Sequence, residues 1–402
     1  MIPVLFPHLQ LSDLISFFQI GKKIDSEFEN QLNKKFNSKF SITFSSGRAG
    51  LYNILKANNI QNKSVLVTAY TCCVVSEAIS QSGNTPKFID TKKGSFNAEI
   101  LKKNIRKYNS NLGAILVTNL YGITSFSDTD ILDIDKNILL ILDDALSPNH
   151  LFSGAKKTFD YFFISCGVRK PFSCLGGGVV FSNNEKKHSI LKDYVLKTRK
   201  KMKTKNTIAQ FILSFSFFFA FKPIVYSFTS LIRRKTNLLN LFFNEKYNDI
   251  YKNKPEYYWD MCDFQKRIGK NQLKKINFLI DRRKEIGNLY FKLFSSSYPW
   301  VKQYWKMDTP YSHIPFLHPN RNELQEYLLK NGIETEKYFD YFIPELKQYK
   351  YDGKFPRAKH LSDHIINLPI NVTLSNKTIS KIATTVKEFD ICIKNNKRKK
   401  LF

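Results

Sequence analysis

The chain has 402 residues, 43% of them hydrophobic, and carries 63 Lys and Arg against 34 Asp and Glu, a formal charge of +29. It is long enough to bury a sizeable core in two or three domains, of which two are expected. The charge is spread along the whole chain with no helix-turn-helix, zinc-finger or RNA-binding signature beside it, so nucleic-acid binding is set aside and the basic, Lys-, Asn-, Ile- and Phe-rich composition reads as codon bias.

The first 24 residues are read as an N-terminal segment. Their opening, Met1-Ile-Pro-Val-Leu-Phe-Pro-His8, lacks the charged region and cleavage site of a signal peptide. The six cysteines, Cys72, Cys73, Cys166, Cys174, Cys262 and Cys392, show no CxxC or Cys/His spacing, and none of the seven histidines pairs at metal-ligand spacing. No metal site is expected, and reduced thiols in the cytoplasm are the default.

From about residue 25 to 250, apolar runs alternate with helical patterns, which indicates βαβ units in a large domain. Within it, Phe44-Ser45-Ser46-Gly47-Arg48-Ala49 leads into a helical pattern beginning near Tyr52. A small-residue turn opening a helix presents free backbone N–H groups to an anion such as a phosphate, and Arg48 is close enough in sequence to add charge-assisted bonds. The same residues can equally be a plain turn and helix start.

Asn137-Ile-Leu-Leu-Ile-Leu-Asp143-Asp144 is a continuous apolar run of the kind buried on both faces of a parallel sheet, and ligands of such sheets lie at the carboxyl ends of strands. The run from Phe159 to Ser165 is a second such strand, so Ser165 and the following Lys170 are expected on the same rim as Asp144. Gly176, Gly177 and Gly178 then permit a tight return into Val179-Val180-Phe181. A lysine amine and a carboxylate so placed suit pyridoxal 5'-phosphate (PLP). The amine can hold the cofactor's aldehyde as a Schiff base, and the anion can keep its pyridine nitrogen protonated. Taken singly, Asp144 can also be a helix cap and Lys170 one of many surface lysines. His150, six positions after Asp144, is read as a structural loop histidine.

Further on, the basic stretch from Lys197 to Lys205 precedes an apolar run from Ile208 to Phe221, and after Lys222-Pro223 a second run from Ile224 to Ile232 ends in Arg233-Arg234-Lys235. Neither run reaches the ~20 apolar residues of a spanning helix. The insert, residues 206–235, is expected as a helical hairpin lying in the headgroup zone of an anionic membrane, with packing inside the protein or at a dimer interface as the alternative. Residues 256–402 are expected to form a smaller α/β domain, and their basic tail, Lys394 to Lys400, reads as a solvated end.

Together these segments resemble the DegT/DnrJ/EryC1/StrS family of PLP-dependent aminotransferases, best known for acting on keto-sugar nucleotides. The resemblance runs through nearly the whole chain. Ser46-Gly47-Arg48-Ala49 is similar to the family's phosphate turn, with Arg48 in place of its threonine. Ala69-Tyr70-Thr71-Cys72 is similar to the next motif, with Cys72 in place of the ring-stacking aromatic. Gly83-Asn-Thr-Pro86 through Asp90, and Leu120-Tyr121-Gly122 after Asn119 rather than a histidine, follow the same pattern. Asp143-Asp144-Ala145-Leu146-Ser147 stands where the family has Glu-Asp-Ala-Ala-Gln. The resemblance implies Asp144 as pyridine partner, Ser165 as a phosphate contact and Lys170 as the Schiff-base lysine. It also assigns Ser46, Gly47, Arg48, Ala49, Thr71, Cys72 and Ser147 to the cofactor-binding set. Because a branch with histidine at the lysine position performs dehydration, Lys170 favours transamination. Tyr258-Trp259-Asp260-Met261 resembles the segment that reaches a neighbouring subunit's site, with Tyr258 and Asp260 replacing its asparagine and arginine. Gly332 to Thr335 and Asn367 to Ile370 match later landmarks.

The implied fold is an α/β PLP-dependent transferase of fold type I, with a mostly parallel sheet in the large domain. The implied activity moves an amino group from an amino acid, glutamate in the first instance, to a keto-sugar nucleotide for surface polysaccharide, in a homodimer. Two alternatives are a PLP enzyme acting on a different or lipid-linked carbonyl compound, and a catalytically silent relative that binds membrane or partners.

Overall fold

Seven short, almost wholly buried strands make the central sheet: β1 (Phe40–Phe44), β2 (Ser64–Thr68), β3 (Thr85–Ile89), β4 (Leu112–Thr118), β5 (Leu139–Asp143), β6 (Tyr161–Ser165) and β7 (Gly178–Ser182). Their spatial order is β1-β7-β6-β5-β4-β2-β3. The pairs from β6 through β3 are parallel, and only β7 runs against its neighbours, β1 and β6. The computed structural model describes residues 1–5, 7–16, 24–91, 98–124, 134–147, 158–200, 204–220, 225–226, 255–349, 351 and 353–399.

The continuous apolar runs of β4 and β5 follow from burial on both faces, since helices cover a parallel sheet above and below. One core layer, on one side of the sheet, contains Phe44, Val67, Leu116, Ile141, Phe163 and Val180 with helix α3 (Gly47–Ala57) and helix α4 (Cys73–Gln81). The layer on the other side contains Leu66, Ile115, Leu142, Phe162 and Phe181 with Phe28 and Leu32 of α2 (Ile24–Lys35). These sets alternate along each strand, as the two-residue period of β structure requires. Helices α1 (Leu11–Ser16), α5 (Ala98–Tyr108), α6 (Glu185–Thr198) and α7 (Thr204–Ala220) complete this half of the chain.

Helix α8 (Asp263–Phe294) is 32 residues long, about 48 Å at 1.5 Å per residue, and connects two cores. Its first half lies so close to α2 that a Cβ on Gly269 would meet the Phe28 ring at 2.6 Å. Its last turns bring Ile286, Tyr290 and Phe294 into a separate cluster with Ile314 and Phe316 of β8 (Ile314–Leu317), Ile366 and Leu368 of β9 (Ile365–Leu368), and Ile379, Ile382 and Val386 of the C-terminal helix. Strands β8 and β9 pair antiparallel. Helices α9 (Val301–Tyr304), α10 (Arg321–Lys330), α11 (Pro356–His364) and α12 (Asn376–Lys399) surround them. The N-terminal segment joins here. Ile2 N–H donates to Gly332 O at 2.7 Å, Glu334 N–H to Ile2 O at 2.9 Å, and Ile370 N–H to Val4 O at 3.0 Å.

At the carboxyl ends of the parallel strands, the chain after β6 turns through Leu175, Gly176 and Gly177, all with positive φ (62°, 154° and 94°). Gly178 then passes the start of α3 so closely that a Cβ there would lie 2.4 Å from Gly47 N and 2.5 Å from the Ser46 carbonyl carbon. Both clashing atoms are backbone and cannot rotate away. Gly178→Ala is therefore expected to push the start of α3 off the rim and to lower stability by about 2–3 kcal/mol, the scale of overpacking, in urea denaturation of the PLP-free protein. An unchanged midpoint and slope would contradict this close packing.

Candidate active site

The rim formed by the carboxyl ends of β1, β2, β4, β5 and β6 opens into a cleft of about 450 Å³. Ser45 and Ser46 after β1, Thr71 and Cys72 after β2, Thr118 and Asn119 at the end of β4, Asp143 and Ala145 at the end of β5, and Ser165 at the end of β6 all line it, with Lys170. Two segments far away in sequence close it, Glu256–Asp260 and Tyr338–Phe339.

The start of α3 is built as an anion-binding turn. Ser46 has extended backbone and its Oγ accepts from Ala49 N–H at 3.2 Å, which caps the helix and turns its first peptide groups toward the cleft. Gly47 packs tightly against the end of β6, where a Cβ would sit 3.3 Å from Ser165 Cβ. The Arg48 guanidinium, which the sequence offers to a phosphate, is held by two carboxylates, Glu77 at 3.5 Å and Glu256 at 3.1 Å. Its charge is thereby balanced inside the protein. Ala49 lies behind the cleft wall, where it is fully buried.

Lys170 Nζ donates a 2.8 Å hydrogen bond to Tyr338 Oη and lies 5.4 Å from the centre of that ring. Burial alone would lower the lysine's pKa, but the Tyr338 hydroxyl, Cys72 and Asp143 outweigh it and hold the ammonium above its ordinary value. Behind Tyr338 stands the fully buried His313, its ring centre 4.4 Å away. Burial, and then the nearby Arg169, Lys170 and Arg283 cations, keep this imidazole well below its usual pKa, so it is neutral. Tyr338 is thus a positioning residue for the lysine that sequence reading did not find. It lies three positions after the Gly332–Thr335 landmark but 168 positions from Lys170, and no spacing ties the two together.

Asp144 is fully buried beneath the cleft floor, where its Oδ1 accepts from Asn119 Nδ2 at 2.6 Å. Asp143, which faces the cleft, has its carboxyl pushed up to about 6 by burial, an effect that its hydrogen bond from Ala145 N–H and the Lys170 charge only partly offset. Ser147 is buried and turned away, its Oγ accepting from Gly122 N–H at 2.9 Å, so it holds the loop after β4 rather than reaching into the cleft. In that loop Tyr121 adopts φ 59° and its hydroxyl meets Tyr70 Oη at 2.5 Å. Asp260, the counterpart of the resemblance's cross-subunit arginine, is occupied within this chain. It accepts from Thr43 Oγ1 at 2.6 Å and Lys266 Nζ at 2.7 Å, and pairs with Arg199 at 2.9 Å. His150 and the loop around it lie outside the described residues.

The residues present fit PLP. The Lys170 amine, the Asp144 carboxylate, the Ser165 hydroxyl and the capped start of α3 supply the amine, pyridine partner and phosphate donors that the cofactor needs. Thr71 Oγ1 and Thr118 Oγ1, both buried on the cleft wall, have no hydrogen-bond partner among the described residues, which is the state expected of groups awaiting a polar ligand. Among the described residues no group of three or more His, Cys, Asp or Glu could hold a metal ion.

A mostly parallel sheet with one reversed strand, and a lysine and a carboxylate on its carboxyl rim, define a PLP-dependent transferase of fold type I. The sequence profile of the DegT/DnrJ/EryC1/StrS aminotransferase family matches residues 13–387, and the chain belongs to that family. It is a PLP-dependent aminotransferase. It is 25% identical over 381 residues to a UDP-4-amino-4,6-dideoxy-N-acetyl-beta-L-altrosamine transaminase of Campylobacter jejuni, covering 91% of this chain and 89% of the relative. To the dTDP-4-amino-4,6-dideoxy-D-glucose transaminase of Escherichia coli it is 24% identical, over 95% and 96% of the two chains. The structure of Helicobacter pylori PseC, an aminotransferase of pseudoaminic acid biosynthesis, superimposes with a TM-score of 0.74 at 18% identity, over 96% of this chain and 98% of that one.

Cys72 lines the cleft where the family's ring-stacking aromatic would stand. Its hydrogen bond with Cys73, helped by the Lys170 charge, brings the thiol down to about 7 against the opposing effect of burial. Burial instead pushes Cys262 up to about 11. The thiolate is the reactive form. In the PLP-free protein, carboxamidomethylation of Cys72 followed by peptide mapping should therefore reach half its maximal rate near pH 7, well ahead of Cys262, and slow when PLP is added. Equal rates at the two cysteines at neutral pH would contradict the assignment.

Proposed function

We propose that the chain aminates a keto-sugar nucleotide, with an amino acid, glutamate in the first instance, as donor. The observation that carries this reading is Lys170, held on the sheet rim by its hydrogen bond to Tyr338, in a chain whose relatives include transaminases of UDP- and dTDP-linked sugars. When bound, PLP supplies the electron sink for breaking the bond between the donor's Cα and its hydrogen. Lys170 Nζ is the base that takes the proton from Cα and returns it on the other side of the exchange, with Tyr338 directing the amine. Asp144, fully buried, would hold a proton on the pyridine nitrogen, and Asn119 Nδ2 fixes its Oδ1 by a hydrogen bond. Thr71, Thr118 and Ser165 are placed to bind polar groups of the cofactor.

In this reading the product is an amino sugar for a surface glycoconjugate, and the enzyme works as a homodimer in the cytoplasm with peripheral contact at the membrane. Among the described residues no helix is long and apolar enough to cross a bilayer, so any such contact is lateral. The occupied Asp260 carboxylate makes Trp259 and Asp260 part of this chain's own cleft wall. Incubating the PLP-loaded protein with glutamate and a panel of UDP- and dTDP-linked keto sugars should yield an amino-sugar nucleotide and 2-oxoglutarate in equal amounts, read by mass spectrometry. If no member of the panel gives an amine, the proposed substrate class is wrong.

A further inference from the structure

We infer that helix α7 is a docking surface for an anionic lipid bilayer, on which it lies in the plane of the headgroups. Seventeen residues long, α7 contains one charged side chain, Lys205. The helix is anchored to the protein: the buried Phe217 joins Leu175, Phe264 and Ile268 in one apolar cluster, Phe211, Leu213 and Phe215 are partly buried against it, and the Phe211 and Phe264 rings meet edge to face at 5.6 Å. Gln210, on the same helix, reaches the active-site cleft.

Away from Phe217 the helix carries an exposed apolar stripe, which runs beside the partly buried Phe215, whose ring lies 5.2 Å from that of Phe219. Ile208, Ile212 and Phe219 are 53%, 58% and 45% exposed, and their spacing of four and seven residues places them on one stripe of the helix. Val225 beyond it, and Leu196 in the last turn of α6, are 40% and 71% exposed. These five stand among eleven exposed large hydrophobic side chains in the described residues, so nearly half fall in 30 positions of sequence. Soluble surfaces carry such side chains singly, and a cluster marks a binding face.

Charge selects the occupant. From residue 194 to residue 244 the sequence has ten Lys and Arg and no Asp or Glu. Lys197, Lys200 and Lys205, which flank the exposed stripe on its N-terminal side, are themselves exposed. A second copy of the chain seated on this face would bring two cationic segments together. An anionic headgroup layer would neutralise them while the stripe enters the acyl boundary. At about 26 Å, α7 is too short to span the ~30 Å hydrocarbon layer, which leaves an in-plane position.

The test is co-sedimentation of the full-length, PLP-loaded protein with vesicles of phosphatidylcholine alone or with one-quarter phosphatidylglycerol, at low and high salt. The expected result is at least tenfold more protein on the anionic vesicles, lost at high salt, and at least a tenfold loss for Ile212→Glu and Phe219→Glu. Both side chains are solvent-exposed, so helical circular dichroism and PLP binding should remain as in the wild type. Equal partition onto both vesicles, no sedimentation with either, or undiminished binding of the variants would overturn the inference. So would variants of lower oligomeric mass whose vesicle binding is unchanged, which would assign the face to a second copy of the chain. None of these results depends on the sugar substrate.

Discussion

The contact between Gly178 and the Ser46–Gly47 peptide is the constraint on which the rest of the site depends. It presses the reversed strand β7 against the first turn of α3, and through the Phe44–Gly178 and Ser165–Gly178 pairings it fixes where β1 and β6 end. Parallel strands all finish on one edge, so fixing these ends also fixes the distance between the Ser46 turn and the loop that carries Lys170. A side chain at position 178 would separate them. Gly178 is thus a requirement of close backbone approach, and Gly176 and Gly177 before it are required by the positive φ of the turn.

Around this frame the electrostatics of the cleft are those of compensated burial. The formal charge is +29, yet two of the cations at and behind the cleft wall are matched by carboxylates, while the buried Arg283 is held by the carbonyls of Tyr311 and Ser312 instead. Arg48 faces Glu77 and Glu256, and Lys266 faces Asp25 and Asp260. An unpaired buried charge is costly, so each pair is tied to its partner's position. Lys170 is held differently: its hydrogen-bond partner is the Tyr338 phenol, while Cys72 and Asp143 act on the amine through their charge without a direct ion pair. Neutral His313 behind that phenol keeps the arrangement free of a further cation.

Much of the frame was legible in the sequence because it is local. The apolar runs ending at Asp144 and Ser165, the glycine return and the Ser46 turn each fall within a few residues, where periodicity and small-residue signals are strong, and all lie where expected. What was not legible is whatever depends on residues brought together from far apart. Tyr338 is one of 20 tyrosines, and the Gly332–Thr335 landmark just before it does not say that its hydroxyl meets Lys170, while the partners of Arg48 and Asp260 lie up to 217 positions away. Ser147 is instructive in the opposite sense: its place in the motif suggested a cofactor contact, but its shorter side chain finds Gly122 N–H within reach and stays in the wall. Likewise α7 is visible as an apolar run, but which of its faces is buried is settled only by the packing on Phe264 and Ile268.

The central claim is that Lys170, and no other of the chain's many lysines, is the residue to which PLP is joined. The most direct measurement is borohydride reduction of the PLP-loaded protein followed by peptide mass mapping, with Lys170→Ala in parallel. The account predicts a single phosphopyridoxyl increment on the peptide containing Lys170, and none anywhere in the variant. An increment on a different lysine, or equal labelling of the variant, would contradict it.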